Sequence, residues 1–176
     1  MSSMKEIRIE KLTLNFGAGS DQKKLAKGVK LIEMITGVTP VKTKAKKRIP
    51  AWGCRPGLPI GAKLTLRGDA AKKLLIRLLT AKDGLLGLKS FDDNGNISFG
   101  IHEYVDIPGV KYDPELGIIG LETSVTLSRP GFRIKTRKVM KRKIPHSHRI
   151  TKDDSIKFMK DNFGLKIIEE EEENDL

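Results

Sequence analysis

Residues 6–19 read EIRIEKLTLNFGAG. Ile7, Ile9, Leu12, Leu14 and Phe16 are apolar, and Lys11, Thr13 and Asn15 lie between the last of these. A period of two buries one set of side chains and leaves the other outside, so the stretch is predicted as a half-buried strand. Gly17-Ala18-Gly19 breaks it, and Ser20 or Asp21 is suited to cap a helix. From Asp21 to Ile35 an apolar stripe of Leu25, Val29, Ile32 and Ile35 recurs at helical spacing, with Gly37 as the stop. A strand with one polar face, followed by a helix with one apolar face, points to a sheet covered on one side.

The rest of the chain repeats that logic. Val41 to Thr43 reads as a short strand. Residues 44–61 show neither period and hold Pro50, Pro56, Pro59, Gly53, Gly57 and Gly61 among bases. An irregular segment of that length is expected to be functional or mobile. Lys63 to Arg67 alternates again, with Leu64 and Leu66 inward. A second helix is predicted from Asp69 to Lys82, burying Ala71, Leu74, Leu75, Leu78 and Leu79, and ended by Asp83-Gly84. Asp92-Asp93-Asn94-Gly95 is a turn. After it Ile97, Phe99 and Ile101 alternate with Asn96, Ser98 and Gly100, and residues 120–128 alternate likewise. Residues 129–149 are expected to form an extended arm or a long hairpin. Thr151 to Asp154 forms a capping box with Asp in place of Glu, opening a short helix that docks through Ile156, Met159 and Phe163.

The order is β-α-β, loop, β-α-β-β, arm, α. The expected fold is α+β: a mostly antiparallel sheet with helices packed on one face, the basic arm, and a short C-terminal helix. One domain is expected over residues 1–164. Residues 165–176, with six acids in the last eight positions, are expected as a disordered acidic tail.

Charge is divided sharply. The 176 residues carry a formal +12. Residues 34–68 contain eight bases and no acid, and residues 123–152 contain ten bases and no acid. An ordinary solvated surface interleaves the two signs, so two acid-free tracts point to a polyanionic partner. The single cysteine, Cys54, rules out an intramolecular disulfide and reads as inert. No stretch has the roughly 18 apolar residues of a membrane span. The reading is a soluble, cytoplasmic, monomeric protein.

The polar side of the strands carries Lys11, Thr13 and Asn15; Lys63, Thr65 and Arg67; Asn96 and Ser98; Ser124 and Thr126. Hydroxyls, amides and bases are donors for phosphate and ribose oxygens, and a flat layer of short donors suits the wide, shallow RNA minor groove. Glu122 is the exception on this side. In the 44–61 loop, Trp52 stands among Lys46, Lys47, Arg48 and Arg55. It either stacks on a base or pins the loop to the core.

Catalytic readings are weak. Gly17-Ala18-Gly19 lacks the third glycine of a dinucleotide fingerprint, since Gln22 stands there, and no cofactor is expected. His146 and His148 lie in a basic arm without carboxylate company, and no metal is expected. Asp92, Asp93, His102 and Glu103 give the alternative of a metal-dependent nuclease. A diffusible RNA chaperone is the other.

Four segments carry a resemblance. They are Ile9 to Gly19, Thr39 to Lys47, Arg55 to Gly68 (RPGLPIGAKLTLRG) and Lys89 to Gly100 (KSFDDNGNISFG). They are similar to the large-subunit ribosomal protein family that binds 5S rRNA, numbered five in the bacterial scheme. The arm and final helix resemble its archaeal and eukaryotic branch. The resemblance implies a structural protein of the central protuberance, in contact with 5S rRNA, large-subunit rRNA and a neighbouring 5S-binding large-subunit protein. It implies 5S rRNA contacts at Asn15, Lys63, Thr65, Arg67, Asn96 and Ser98, and Lys11, Thr13, Lys42 and Ser90 complete the rRNA-binding candidates. It implies P-site tRNA contacts at Lys46, Lys47, Arg48, Trp52 and Arg55. Arg133, Lys135, Arg137, Lys138, Lys141, Arg142 and Lys143 are further basic candidates in the arm.

Overall fold

The computed structural model describes residues 3–168. Strand β1 (Arg8–Gly17) is followed by helix α1 (Gln22–Thr36), β2 (Val41–Lys44), β3 (Pro59–Leu66), α2 (Gly68–Thr80), β4 (Leu85–Gly87), β5 (Asn96–Ile101), β6 (Leu121–Ser128), α3 (Lys152–Phe163) and β7 (Lys166–Ile168). Five strands form one antiparallel sheet in the order β2-β3-β1-β6-β5. The fold is α+β, as the alternation and helical stripes imply.

β1 sits at the centre and pairs on both edges. Leu12, Leu14 and Phe16 are buried on one side, and Thr13 and Asn15 emerge on the other. The pattern slips between Ile9 and Lys11 because Glu10 forms a β-bulge against β6. The extra residue returns Lys11 to the polar side after Ile9 on the apolar side. Asp21 caps α1, its carboxylate accepting from the Lys23 and Lys24 amides at 2.8 and 3.2 Å, and Gly37 closes the helix at φ 71°. Leu25, Leu31, Ile32 and Ile35 of α1 and Ala71, Leu74, Leu75, Leu78 and Leu79 of α2 belong to the same core as the inward strand residues. Both helices contact the sheet beside β1 and β3.

Several boundaries differ from the sequence reading. β3 begins at Pro59, four residues before Lys63. Proline is tolerated as the first residue of a strand, where its missing N–H breaks no ladder. Much of the 44–61 loop is the continuation of the β2–β3 hairpin: Ala45 donates to Leu58 at 2.8 Å, and Ile49 and Cys54 exchange bonds of 3.0 and 3.1 Å. The sequence reading starts the acidic tail at residue 165, but Leu165 is buried and β7 pairs in parallel with β4. The folded body therefore runs to Ile168. The acidic run that follows lies outside the described residues.

Gly28 marks the closest packing between α1 and the sheet. A Cβ there would come within 2.0 Å of the Phe16 ring. Gly28→Ala is expected to cost about 1–3 kcal/mol in overpacking against a ~1 kcal/mol gain in helix propensity, a net destabilisation of up to about 2 kcal/mol. Urea unfolding measures it; a Gly28→Ala protein as stable as wild type would contradict this packing.

Candidate nucleic-acid interface

Strand register turns scattered side chains into rows. Residues directly opposite in an antiparallel pair share a face and lie about 4.5–5.5 Å apart. Thr65 faces Thr13, Thr13 faces Ser124, and Ser124 faces Ser98. That is an unbroken row of four hydroxyls across β3, β1, β6 and β5. One row away, Lys11 faces Thr126, which faces Asn96. On the other flank Lys63 faces Asn15, Asn15 faces Glu122, and Glu122 faces Gly100. Asn15, Lys63, Thr65 and Ser98 are exposed, while Lys11, Thr13 and Asn96 are half-buried. The helices lie on the opposite side, so this face is open.

The face is not uniformly positive. Asn15 Nδ2 donates to Glu122 Oε2 at 2.8 Å. Arg67 Nη1 reaches the bulged Glu10 carboxylate at 3.7 Å. Asn96 Nδ2 donates to Asp92 at 2.9 Å, and that bond is the main reason the Asp92 carboxyl lies below its ordinary range. Each of these three binding candidates thus has a carboxylate partner in the isolated protein. Strand parity identifies their face but not their partners, because the pairs Asn15–Glu122 and Arg67–Glu10 close only across the sheet.

Two candidates fall elsewhere. Lys42 pairs with Ala62, a core residue, so it is directed to the helix side of edge strand β2; its neighbours Val41 and Thr43 face the polar side. Ser90 lies in the short helical turn before β5, not in the sheet. Ser124 and Thr126 belong to the rows, and the β6 alternation is the signal for them.

The loop candidates form a protruding tip. Lys46, Lys47, Arg48 and Arg55 are exposed, and Trp52 is 68% exposed on a tight turn closed by Gly53 at φ 63°. Trp52 therefore does not pin the loop to the core. The buried residue of the tip is Cys54. The thiol faces the Trp52 carbonyl at 3.5 Å.

The arm is a pinned loop and not a hairpin. Phe132, Ile144 and Ile150 are buried, with short helical turns at Phe132–Lys135 and His146–His148. His148 packs edge-on to Phe132 at 5.7 Å and contacts the Pro130 carbonyl at 2.9 Å. These contacts give His148 a structural role in the arm. Arg133, Lys135, Arg137, Lys138, Lys141, Arg142 and Lys143 are all exposed. Arg129 fastens the arm's base: it donates to the Arg149 carbonyl at 2.8 Å and to Asp154 at 2.9 Å. Asp154 also completes the capping box of α3 with Thr151.

The nuclease set does not assemble. Asp92 and Asp93 precede β5, while His102 and Glu103 follow it, and six strand residues separate their ends by about 20 Å. No cluster of three or more His, Cys, Asp or Glu side chains suited to a metal exists among the described residues. No helix among them is long and apolar enough to cross a membrane.

Comparison with known proteins agrees with this layout. A family model described as "Ribosomal protein L5" matches residues 2–55, and a second model, for the C-terminus of the same ribosomal family, matches residues 59–158. The large ribosomal subunit protein uL5 of Nanoarchaeum equitans is 51% identical over 166 residues, covering 94% of this chain and 98% of that protein. The protein of the same name from Sulfolobus acidocaldarius is 47% identical over 166 residues, 94% of this chain and 93% of its own length. That of Methanosphaera stadtmanae is 43% identical over 167 residues, 95% of this chain and 99% of its own.

The Asp154 clamp makes a pH-dependent prediction. Partial burial pushes this carboxyl upward, but the Thr151 hydrogen bonds and the Arg129 guanidinium outweigh it and hold it below the ordinary 3.8. A depressed carboxyl stabilises the fold above its ordinary value, and that contribution is lost as pH falls through the folded value. Asp154→Asn should lose about 1 kcal/mol at neutral pH, the usual net worth of one intramolecular hydrogen bond. Its deficit should shrink below pH 3.8. Thermal unfolding of both proteins across neutral to strongly acidic pH tests this; a constant deficit throughout would refute it.

Proposed function

We propose, because the chain belongs to the ribosomal protein L5 family and so is a non-enzymatic structural constituent of the large subunit of cytoplasmic ribosomes, that its open sheet face binds 5S rRNA and its 44–61 tip contacts P-site tRNA. The observation that carries the first part is the four-strand hydroxyl row Thr65–Thr13–Ser124–Ser98, flanked by Lys63 and Lys11. Short hydroxyls leave the surface flat, so a helical RNA groove can approach the sheet closely. They donate to and accept from ribose 2′-hydroxyls, while lysines on either side neutralise the bordering phosphates. A DNA duplex offers no 2′-hydroxyl to meet them.

The second part is supported by the exposed indole of Trp52 among four exposed bases on a tip stiffened by the Ile49–Cys54 bridge. A ring held in water is available to stack on a base or a ribose. The arm, with its seven exposed bases, suits large-subunit rRNA outside the 5S contact. A neighbouring 5S-binding protein completes the proposed surroundings, and the chain enters them as a monomer.

Filter binding of the full chain to a 5S rRNA transcript should give an affinity that falls with salt. The log–log slope is roughly 0.7–0.9 for each phosphate neutralised. The double variant Lys63→Ala/Arg67→Ala should lower that slope by roughly 1.4–1.8. Lys46→Ala/Lys47→Ala should leave 5S binding near wild type, while Trp52→Ala should weaken P-site tRNA retention by assembled subunits. An affinity for 5S rRNA no greater than for unrelated folded RNA would reject the reading. The opposite ranking of the two double variants would show that the two surfaces are interchanged.

A further inference from the structure

At one end of the open face the ladder between β1 and β6 stops at the Asn15–Glu122 pair, while β1 runs on to Gly17. A notch of about 450 Å³ opens there, lined by Asn15, Gly17, Gly100, Glu122, Lys24 and Ile118 among others. Two of these residues lack an intramolecular reason. Glycine inside a strand costs roughly 0.5–1 kcal/mol relative to alanine. Gly17 and Gly100 do not occupy the left-handed region, and a Cβ on either would meet nothing within 4 Å. Gly100 inside β5, and Gly17 at the end of β1, are required neither by a left-handed backbone nor by internal packing. What they do is leave the notch walls bare. Ile118 adds an apolar surface that is 70% exposed.

Glu122 is the second anomaly. A carboxylate on a face suited to RNA repels phosphate, and it can only accept hydrogen bonds. It is compatible with RNA where a base edge supplies donors. Guanine presents two adjacent donors, N1–H and N2–H, which match the two oxygens of one carboxylate. It also presents the O6 acceptor beside them. Asn15 Nδ2 spends one hydrogen on Glu122 at 2.8 Å and has a second to donate. Adenine has an acceptor at N1 and is repelled, and uracil offers a single donor.

We propose that this notch receives an unpaired guanine of the bound RNA, with Glu122 and Asn15 reading its Watson–Crick edge, Gly17 and Gly100 giving it room, and Lys24 offsetting an adjoining phosphate. The inference rests on the reading that the sheet face binds 5S rRNA and adds a base-specific subsite to it. Lys24 is the one lysine or arginine lining the notch.

The test uses the full chain and a 5S rRNA transcript. Gly100→Val places a good strand former where an added Cβ meets nothing within 4 Å, so its melting temperature should equal or exceed that of wild type. Its affinity for the transcript should nevertheless fall roughly tenfold to a hundredfold, the worth of one bidentate base contact. Kethoxal, which attacks unpaired guanine at N1 and N2, should find at least one guanine shielded by wild type and reactive with Glu122→Gln. A stable Gly100→Val protein that binds like wild type, or identical kethoxal patterns for wild type and Glu122→Gln, would overturn the notch. Amide shifts at Gly100 induced by free GMP, without any loss of shielding in Glu122→Gln, would assign the site to a free nucleotide and overturn the RNA reading. Failure of the sheet-face proposal is distinguishable, because wild type itself would then not discriminate 5S rRNA from other folded RNA.

Discussion

Strand β1 is hydrogen-bonded along both edges, and that single fact fixes the rest of the molecule. Its alternation forces Leu12, Leu14 and Phe16 to one side, and register with β3 and β6 transmits the choice to Leu64, Ala62, Val125 and Thr123. A shift of one residue would exchange the two faces of every strand. The Glu10 bulge shows the same constraint from the other direction. The sequence EIRIEKLTLNF does not alternate perfectly between Ile9 and Leu12, and the strand takes up the extra residue as a bulge. Helices α1 and α2 then close one side, and Gly28 against Phe16 sets how near they come. The opposite side stays open because no segment among the described residues offers it a comparable apolar stripe.

Much of this is legible in the residues alone. Period two in β1, β3, β5 and β6 and the stripes of α1 and α2 identify the fold, and the caps at Asp21, Gly37 and Thr151–Asp154 follow from local chemistry. The misreadings share one cause: the deciding partner lies far away in sequence. β4 is three residues long and exists only because β7 pairs with it from a distant part of the chain. Lys166-Ile167-Ile168 looks like the start of an acidic tail until Leu86 is placed beside it. The 44–61 segment has no period because proline and glycine interrupt it, yet its backbone groups still bond across the hairpin. Lys42 shares the composition of the other basic candidates and differs from them by the parity of its position.

The candidate surface is legible in outline for the same reason. Parity tells which side chains emerge, but not what they touch. Asn15, Arg67 and Asn96 are partnered by Glu122, Glu10 and Asp92. Composition alone treats the surface as a field of donors and bases. The tip and the arm are clearer, since an acid-free tract needs no register to be seen. Their buried residues, Cys54 in the tip and Phe132 and Ile144 in the arm, are ordinary apolar residues that only the folded chain singles out.

Acids on a surface that carries so many bases change what it can recognise. A uniformly basic sheet would attract every polyanion through the same long-range field, and its affinity would carry little selectivity. A carboxylate lowers that attraction everywhere except where the ligand brings a donor to it. It also holds its partner in place. A free arginine loses up to about 2 kcal/mol of rotamer freedom when a ligand fixes it. The Glu10–Arg67 contact exacts part of that ordering in the isolated protein, at 3.7 Å and half in water, and so leaves less for binding to supply. In the proposed complex the exposed bases of tip and arm bring RNA close, and the few acids of the sheet decide which RNA stays. The hydroxyl row between them is neutral, and in that proposed complex it would accept an RNA groove only when the charged rows on both sides are matched. On the proposed reading, discrimination therefore resides in the least basic part of the surface.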